Sequence, residues 1–210
     1  YLVLKLYTGL GETTQGPPVR TDAGGNYLFT NLPALSTGQE YYVLFENNAH
    51  GNALATDRLA WWGSFSIFAY TEGERVGGGD FDIADVVLTA PADGATVDTP
   101  YTFIWQVRPH SPGDDYEFNL FDSADYVPWY YKSVGYTGTC RLNSLPGGFA
   151  RGTPYVWNLW LYNGGGMGES LHRYSVTFQP IARTGGPSAP VAVGRPGLSR
   201  FVPEALRHRR

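Results

Sequence analysis

Along the first seven residues apolar positions recur at every second place. Leu2, Leu4 and Leu6 share one face and Val3, Lys5 and Tyr7 the other, the period of a half-buried strand. A loop is expected through Gly16-Pro17-Pro18. Beyond it, residues 19–21 and 27–30 flank the turn Asp22 to Asn26 and predict a hairpin. Residues 40–46 are apolar on both faces (Tyr41, Val43 and Phe45 against Tyr42 and Leu44), as expected of a central strand. Residues 59–70 and 81–88 predict two further strands around the glycine-rich stretch 73–79.

A turn at Ala90-Pro91-Ala92-Asp93-Gly94 marks the expected boundary between two modules. After it four runs each present an apolar face: Phe103, Trp105 and Val107; Tyr116, Phe118 and Leu120; Tyr155, Trp157, Leu159 and Leu161; Tyr174, Val176 and Phe178. Shorter candidates at 127–132 and 138–142, and a first strand at 86–89 or 95–97, bring the count to about seven, the number a sandwich uses. The predicted architecture is therefore all-β: two tandem antiparallel β-sandwiches over residues 1–89 and 90–178, then an irregular tail over 179–210.

Composition sharpens this picture. With 27 Gly, 15 Pro, 15 Tyr, 11 Phe and 6 Trp in 210 residues, the chain is rich in turns and large rings. Only 16% of residues are charged, and the lysines are Lys5 and Lys132 alone, so nucleic acid is not an expected partner. No apolar run is long enough to predict a membrane span, and residues 1–7 lack the pattern of a signal peptide. The lone Cys140 predicts a buried structural thiol and a fold without an intrachain disulfide. The tail holds six arginines and one glutamate, so it opposes an acidic body.

The stretch Val3-Leu4-Lys5-Leu6-Tyr7, Thr21 to Phe29, Asn31-Leu32-Pro33 and Tyr41-Tyr42-Val43 resembles the carboxypeptidase regulatory-like and surface-protein B-type modules, which are prealbumin-like sandwiches. Residues 91–178 resemble a fibronectin type III or immunoglobulin-like module. The matching points are Pro91, Trp105, Tyr116, Leu145-Pro146 and Gly152-Thr153-Pro154-Tyr155. This resemblance implies that the Tyr155 hydroxyl ties down the loop before it. The first resemblance implies one more strand ahead of Tyr1. It also raises a Lys5 isopeptide bond, but residues 81–88 offer no asparagine, so a solvent-facing lysine is expected. Both resemblances imply structural or adhesive roles in bacterial extracellular proteins.

No catalytic constellation is legible. Gly-x-Ser-x-Gly and His-Glu-x-x-His are absent from the sequence, and His50, His110, His172 and His208 stand apart. Asp114-Asp115 is expected to be a solvated turn. Asp80, Asp82 and Asp85, like Asp22 and Asn26, lack the spacing of a calcium loop, and Asp22 and Asn26 are expected to bond their local backbone. No enzyme activity, cofactor or metal is expected.

The leading expectation is a non-catalytic structural or adhesive component of a bacterial cell surface or extracellular assembly, partnered by itself or by neighbouring surface modules. The alternative is an accessory carbohydrate-binding protein. Consecutive rings on a strand face both ways, so Trp61, Trp62, Trp129, Tyr130 and Tyr131 are candidate glycan or interface contacts. Filament growth by strand exchange is a further expectation, with Pro190, Val191, Ala192, Val193, Phe201 and Val202 as the donor segment.

Overall fold

The structure, a computed structural model, describes residues 1–180. The candidate donor segment, Pro190 to Val193 with Phe201 and Val202, lies outside the described residues. The described residues form thirteen strands and no helix. The first half carries β1 (Leu2–Tyr7), β2 (Glu12–Val19), β3 (Glu40–Glu46) and β4 (Trp61–Ser64). The second carries β5 (Val87–Ala90), β6 (Ala95–Val97), β7 (Tyr101–Gln106), β8 (Asp115–Phe121), β9 (Trp129–Gly135), β10 (Thr139–Leu142), β11 (Pro154–Asn163), β12 (Gly166–Glu169) and β13 (Tyr174–Phe178).

The second half is a two-layer sandwich. A three-stranded sheet, β10-β7-β5, faces β9-β8-β11-β13, and β6 adds in parallel to β13. All four inward faces read from the sequence meet here: Phe103, Tyr116, Phe118, Leu120, Trp157, Leu159, Leu161, Val176 and Phe178 are wholly buried. Phe103 lies 4.6 Å from Phe118 and 5.2 Å from Trp157, ring centre to ring centre. Burying each such ring contributes roughly 2 to 3 kcal/mol. Ala150 N donates to the Tyr155 hydroxyl at 2.7 Å, which pins the loop ahead of β11. Cys140 is buried against this core, and burial pushes its thiol pKa up.

The ten residues of β11 make it the spine of the molecule. One edge pairs with β8; the other pairs first with β13 and then, past Trp157, with β12. Strand β12 in turn pairs with β4, so a single ten-stranded sheet runs on through β3, β1 and β2. One apolar cluster spans both halves, from Leu2 to Phe178.

The seam needs glycine. A Cβ on Gly168 would stand 2.7 Å from Trp61 O, and one on Gly166, where φ is +145°, would overlap Gly63 O. Beside the seam sits Arg108, buried in the loop between β7 and β8. Its Nε and Nη2 donate to Asp114 at 2.8 Å each, and its Nη1 donates to Asp82 O at 2.6 Å and Ala84 O at 3.3 Å. Its guanidinium lies 5.4 Å from the Trp62 ring centre. One cation thus joins the second half to the backbone and core of the first.

Several local expectations change. Gly16-Pro17-Pro18 lies within β2 rather than in a loop, because β2 is an edge strand and the register with β1 shifts there, where missing N–H groups leave no ladder bond unmade. Residues 27–30 form no strand, so the expected hairpin is absent; β2 turns back onto β1, while Tyr27, Phe29 and Leu32 fold over the sheet as loop. The turn itself forms, with Asp22 Oδ1 accepting from Gly24 N and Asn26 N at 2.8 Å each. Of residues 59–70 only β4 is a strand, with a single bridge at Ile67. Of residues 81–88 only the end is strand, in β5, and β5 pairs with β7 in the three-stranded sheet. Asp114 is no solvated turn: it is buried because Arg108, six positions earlier, supplies its counter-charge. Lys5 is half-buried, its Nζ donating to Thr14 Oγ1 at 3.0 Å.

Candidate functional site

The large sheet has an outer face, opposite the core. On β8 it presents Glu117, Asn119 and Phe121; on β11, Val156, Asn158, Trp160 and Tyr162. Strand register aligns one row across both halves: Ser133 faces Glu117, Glu117 faces Trp160, Trp160 faces Glu169, Glu169 faces Trp61, and Trp61 faces Glu46. Rings on β11 and β4 therefore alternate with carboxylates on β8, β12 and β3. On β9, Trp129 and Tyr131 add rings beside this row.

The indoles are held by their N–H edges. Trp129 Nε1 donates to Asn119 Oδ1 at 2.8 Å, and Trp61 Nε1 donates to Glu169 Oε2 at 3.0 Å, each across to the neighbouring strand. Trp129 packs 5.6 Å from Trp160 and 5.6 Å from Tyr131, at interplanar angles of 64° and 50°. Glu169 also accepts from Asn158 Nδ2 and Arg173 Nε at 2.7 Å each. Arg173 then donates to the Tyr126 hydroxyl at 3.1 Å, and Tyr126 stacks on Phe121 with centroids 4.9 Å apart. Tyr126 has a φ of 60°, in the left-handed region that bulky side chains rarely adopt, and these two contacts fix its ring.

The sequence-derived candidates separate. Trp129 and Tyr131 are exposed, Tyr131 by 61%, and Trp61 is half-buried on the same face. Trp62 is fully buried and stacked on Phe81. Tyr130 turns inward against Phe118. As contacts for a ligand, Trp62 and Tyr130 are therefore withdrawn: alternation along β4 and β9 sends them into the core. Trp160, Asn119, Asn158, Glu117, Glu169 and Arg173 were not singled out from sequence. The signal for Trp160 was present, since it alternates with the inward Leu159 and Leu161, but its neighbours come from strands far along the chain.

A concavity of about 980 Å³ lies over Leu4, Tyr41 and Val43 on the inner side of the first half. Loops 24–32 and 72–80 wall it, and the Tyr27 hydroxyl donates to Gly79 O at 2.7 Å. Among the acidic candidates, Asp82 accepts from Ala84 N and Ser111 Oγ, and Asp85 accepts from Leu171 N. Among the described residues no group of three or more His, Cys, Asp or Glu could hold a metal, and no helix is long and apolar enough to cross a membrane. Comparison of the chain with protein families, curated proteins and solved structures finds no match.

Proposed function

We propose that this protein is a non-catalytic structural or adhesive component of a bacterial cell surface or extracellular assembly. The observation that carries the reading is the shared sheet: β4 paired to β12 and Arg108 clamped to Asp82, Ala84 and Asp114 make the two halves one stiff body rather than beads on a hinge. Stiffness suits a part that transmits load or presents a surface. The layout of the second half, with three strands facing four, adds support through the immunoglobulin-like resemblance of residues 91–178. Labelling intact producing cells with antibodies raised to the purified chain tests the reading. Labelling before permeabilisation is expected; labelling only afterwards would refute it.

Self-association by strand exchange belongs to the same proposal. The edge strand β2 is a poor template because Pro17 and Pro18 lack N–H groups. The concavity over Leu4, Tyr41 and Val43 offers an apolar floor instead. Light scattering on the full chain and on a version ending at Pro180 decides the point: a polymer that becomes a monomer on truncation is expected, and two monomers would end the idea.

A further inference from the structure

We propose that the outer face of the ten-stranded sheet binds a neutral, extended β-linked glycan chain lying across the strands from Trp129 and Tyr131 over Trp160 to Trp61. The inference deepens the adhesive reading above and rests on it.

Spacing is the first argument. Trp129 on β9 packs 5.6 Å from Trp160 and widens the platform at that end, while Trp160 on β11 and Trp61 on β4 stand in register with one strand between them, so they are separated by two strand spacings, about 9.6 Å. That distance is close to the length of two sugar residues in an extended β-linked chain. Trp160 and Trp61 would then meet the apolar faces of sugars two places apart.

The polar groups between the rings are the second argument. Glu117 and Glu169 flank Trp160 on either side in register, so the row between the rings is acidic, and Glu169 is held there by Asn158, Arg173 and Trp61. Asn158, 1% exposed, lies beside the row on β11, opposite Asn119, and among the described residues its Oδ1 has no hydrogen-bond partner. A buried acceptor left unpaired is costly, and a ligand hydroxyl that reached it would satisfy it.

Preorganisation is the third argument. Hydrogen bonds from Trp129 to Asn119 and from Trp61 to Glu169 fix both indoles before any ligand arrives, so little side-chain freedom is lost on binding. The rings are not coplanar, since Trp129 meets Trp160 edge to face at 64°. A single twisted chain fits such a row better than the flat surface of a crystalline polysaccharide. The carboxylates disfavour anionic glycans and nucleic acid, which sets the ligand as neutral.

The test is calorimetric titration of the full chain with cellohexaose, laminarihexaose, chitohexaose and mannohexaose, and with the corresponding disaccharides. Saturable binding of at least one hexasaccharide is expected, at least about tenfold tighter than its disaccharide, because only the longer chain reaches two ring positions. Trp61→Ala and Trp129→Ala should each weaken it about tenfold. Tyr131→Ala removes a 61% exposed ring and should weaken binding while leaving the melting temperature unchanged. Should an indole variant fail to fold, the indole N–H resonances of Trp61 and Trp129 in the unaltered protein serve instead, and both should shift on titration. The proposal is overturned if no hexasaccharide binds at millimolar concentration, if binding is indifferent to all three substitutions with both resonances unmoved, or if only sulfated or uronic chains bind. A dimer abolished by Tyr131→Ala, without glycan binding, would assign the face to a second copy of this chain. Surface labelling of cells is independent of all these outcomes, so loss of the glycan site leaves the adhesive reading to be judged on its own test.

Discussion

Replacing Arg108 with Met tests whether one buried cation holds the two halves together. The substitution keeps most of the side-chain volume but removes two hydrogen bonds to Asp114 and two to the carbonyls of Asp82 and Ala84. The Asp114 carboxylate would remain buried with only Asn163 Nδ2 at 2.8 Å and the Tyr116 hydroxyl at 3.3 Å to solvate it. Breaking one side of a buried pair costs about 3 to 5 kcal/mol, so a loss of about 4 kcal/mol is expected. Asp114→Leu should cost a similar amount by leaving the guanidinium unpaired. The double variant removes both charges and should lose about 5 kcal/mol rather than 8, a coupling of about 3 kcal/mol. Urea unfolding followed by near-UV circular dichroism measures all four proteins. A cost below about 1 kcal/mol for Arg108→Met, or additive single effects, would refute the clamp.

Gly168→Ala places a methyl group against Trp61 O at the seam and should cost about 1 to 3 kcal/mol, read as a lower urea midpoint; a neutral effect would show that β12 and β4 are not in close register. Burial raises the Asp85 pKa from 3.8 to about 6, so the stability linked to its protonation is complete below about pH 4 and is lost as pH rises through 6. The difference amounts to about 3 kcal/mol, and Asp85→Asn should flatten this part of the stability profile and stabilise the protein at pH 7. Arg151 holds Asp98 below the usual carboxylate range, and that contribution runs the other way, fading as pH falls below the ordinary value of 3.8. Tyr155→Phe deprives Ala150 N of its acceptor and should cost about 1 to 2 kcal/mol, with faster amide exchange at Ala150; unchanged exchange would remove Tyr155 from its pinning role.

Much of the second half was legible because its strands alternate strictly, and every predicted inward position from Phe103 to Phe178 is buried or packs on the core. The first half was harder to read because its apolar residues lie partly in irregular segments. Tyr27, Phe29, Ile67 and Phe81 pack on the core from loops, where aromatic content mimics a strand signal without a ladder to hold it. Pro17 and Pro18 misled in the opposite sense, since an edge strand tolerates them. The seam could not be read at all. Gly164-Gly165-Gly166-Met167-Gly168 has the composition of a loop, yet its glycines admit the close approach of β4, a contact about a hundred residues away in sequence. The same limit hid the outer row: Trp61 and Trp129 were visible singly, whereas Glu117, Trp160 and Glu169 join them only through register. Asp114 was misjudged because a local reading of a turn takes no account of a buried partner such as Arg108.

The central claim is that the two halves form one stiff body through the β4–β12 seam, and differential scanning calorimetry of the full chain tests it most directly. A single transition is expected, with the calorimetric enthalpy equal to the van't Hoff enthalpy, and Gly168→Ala should lower it as a unit. Two separable transitions in the unaltered protein, or a Gly168→Ala variant in which one transition moves and a second stays in place, would contradict the claim.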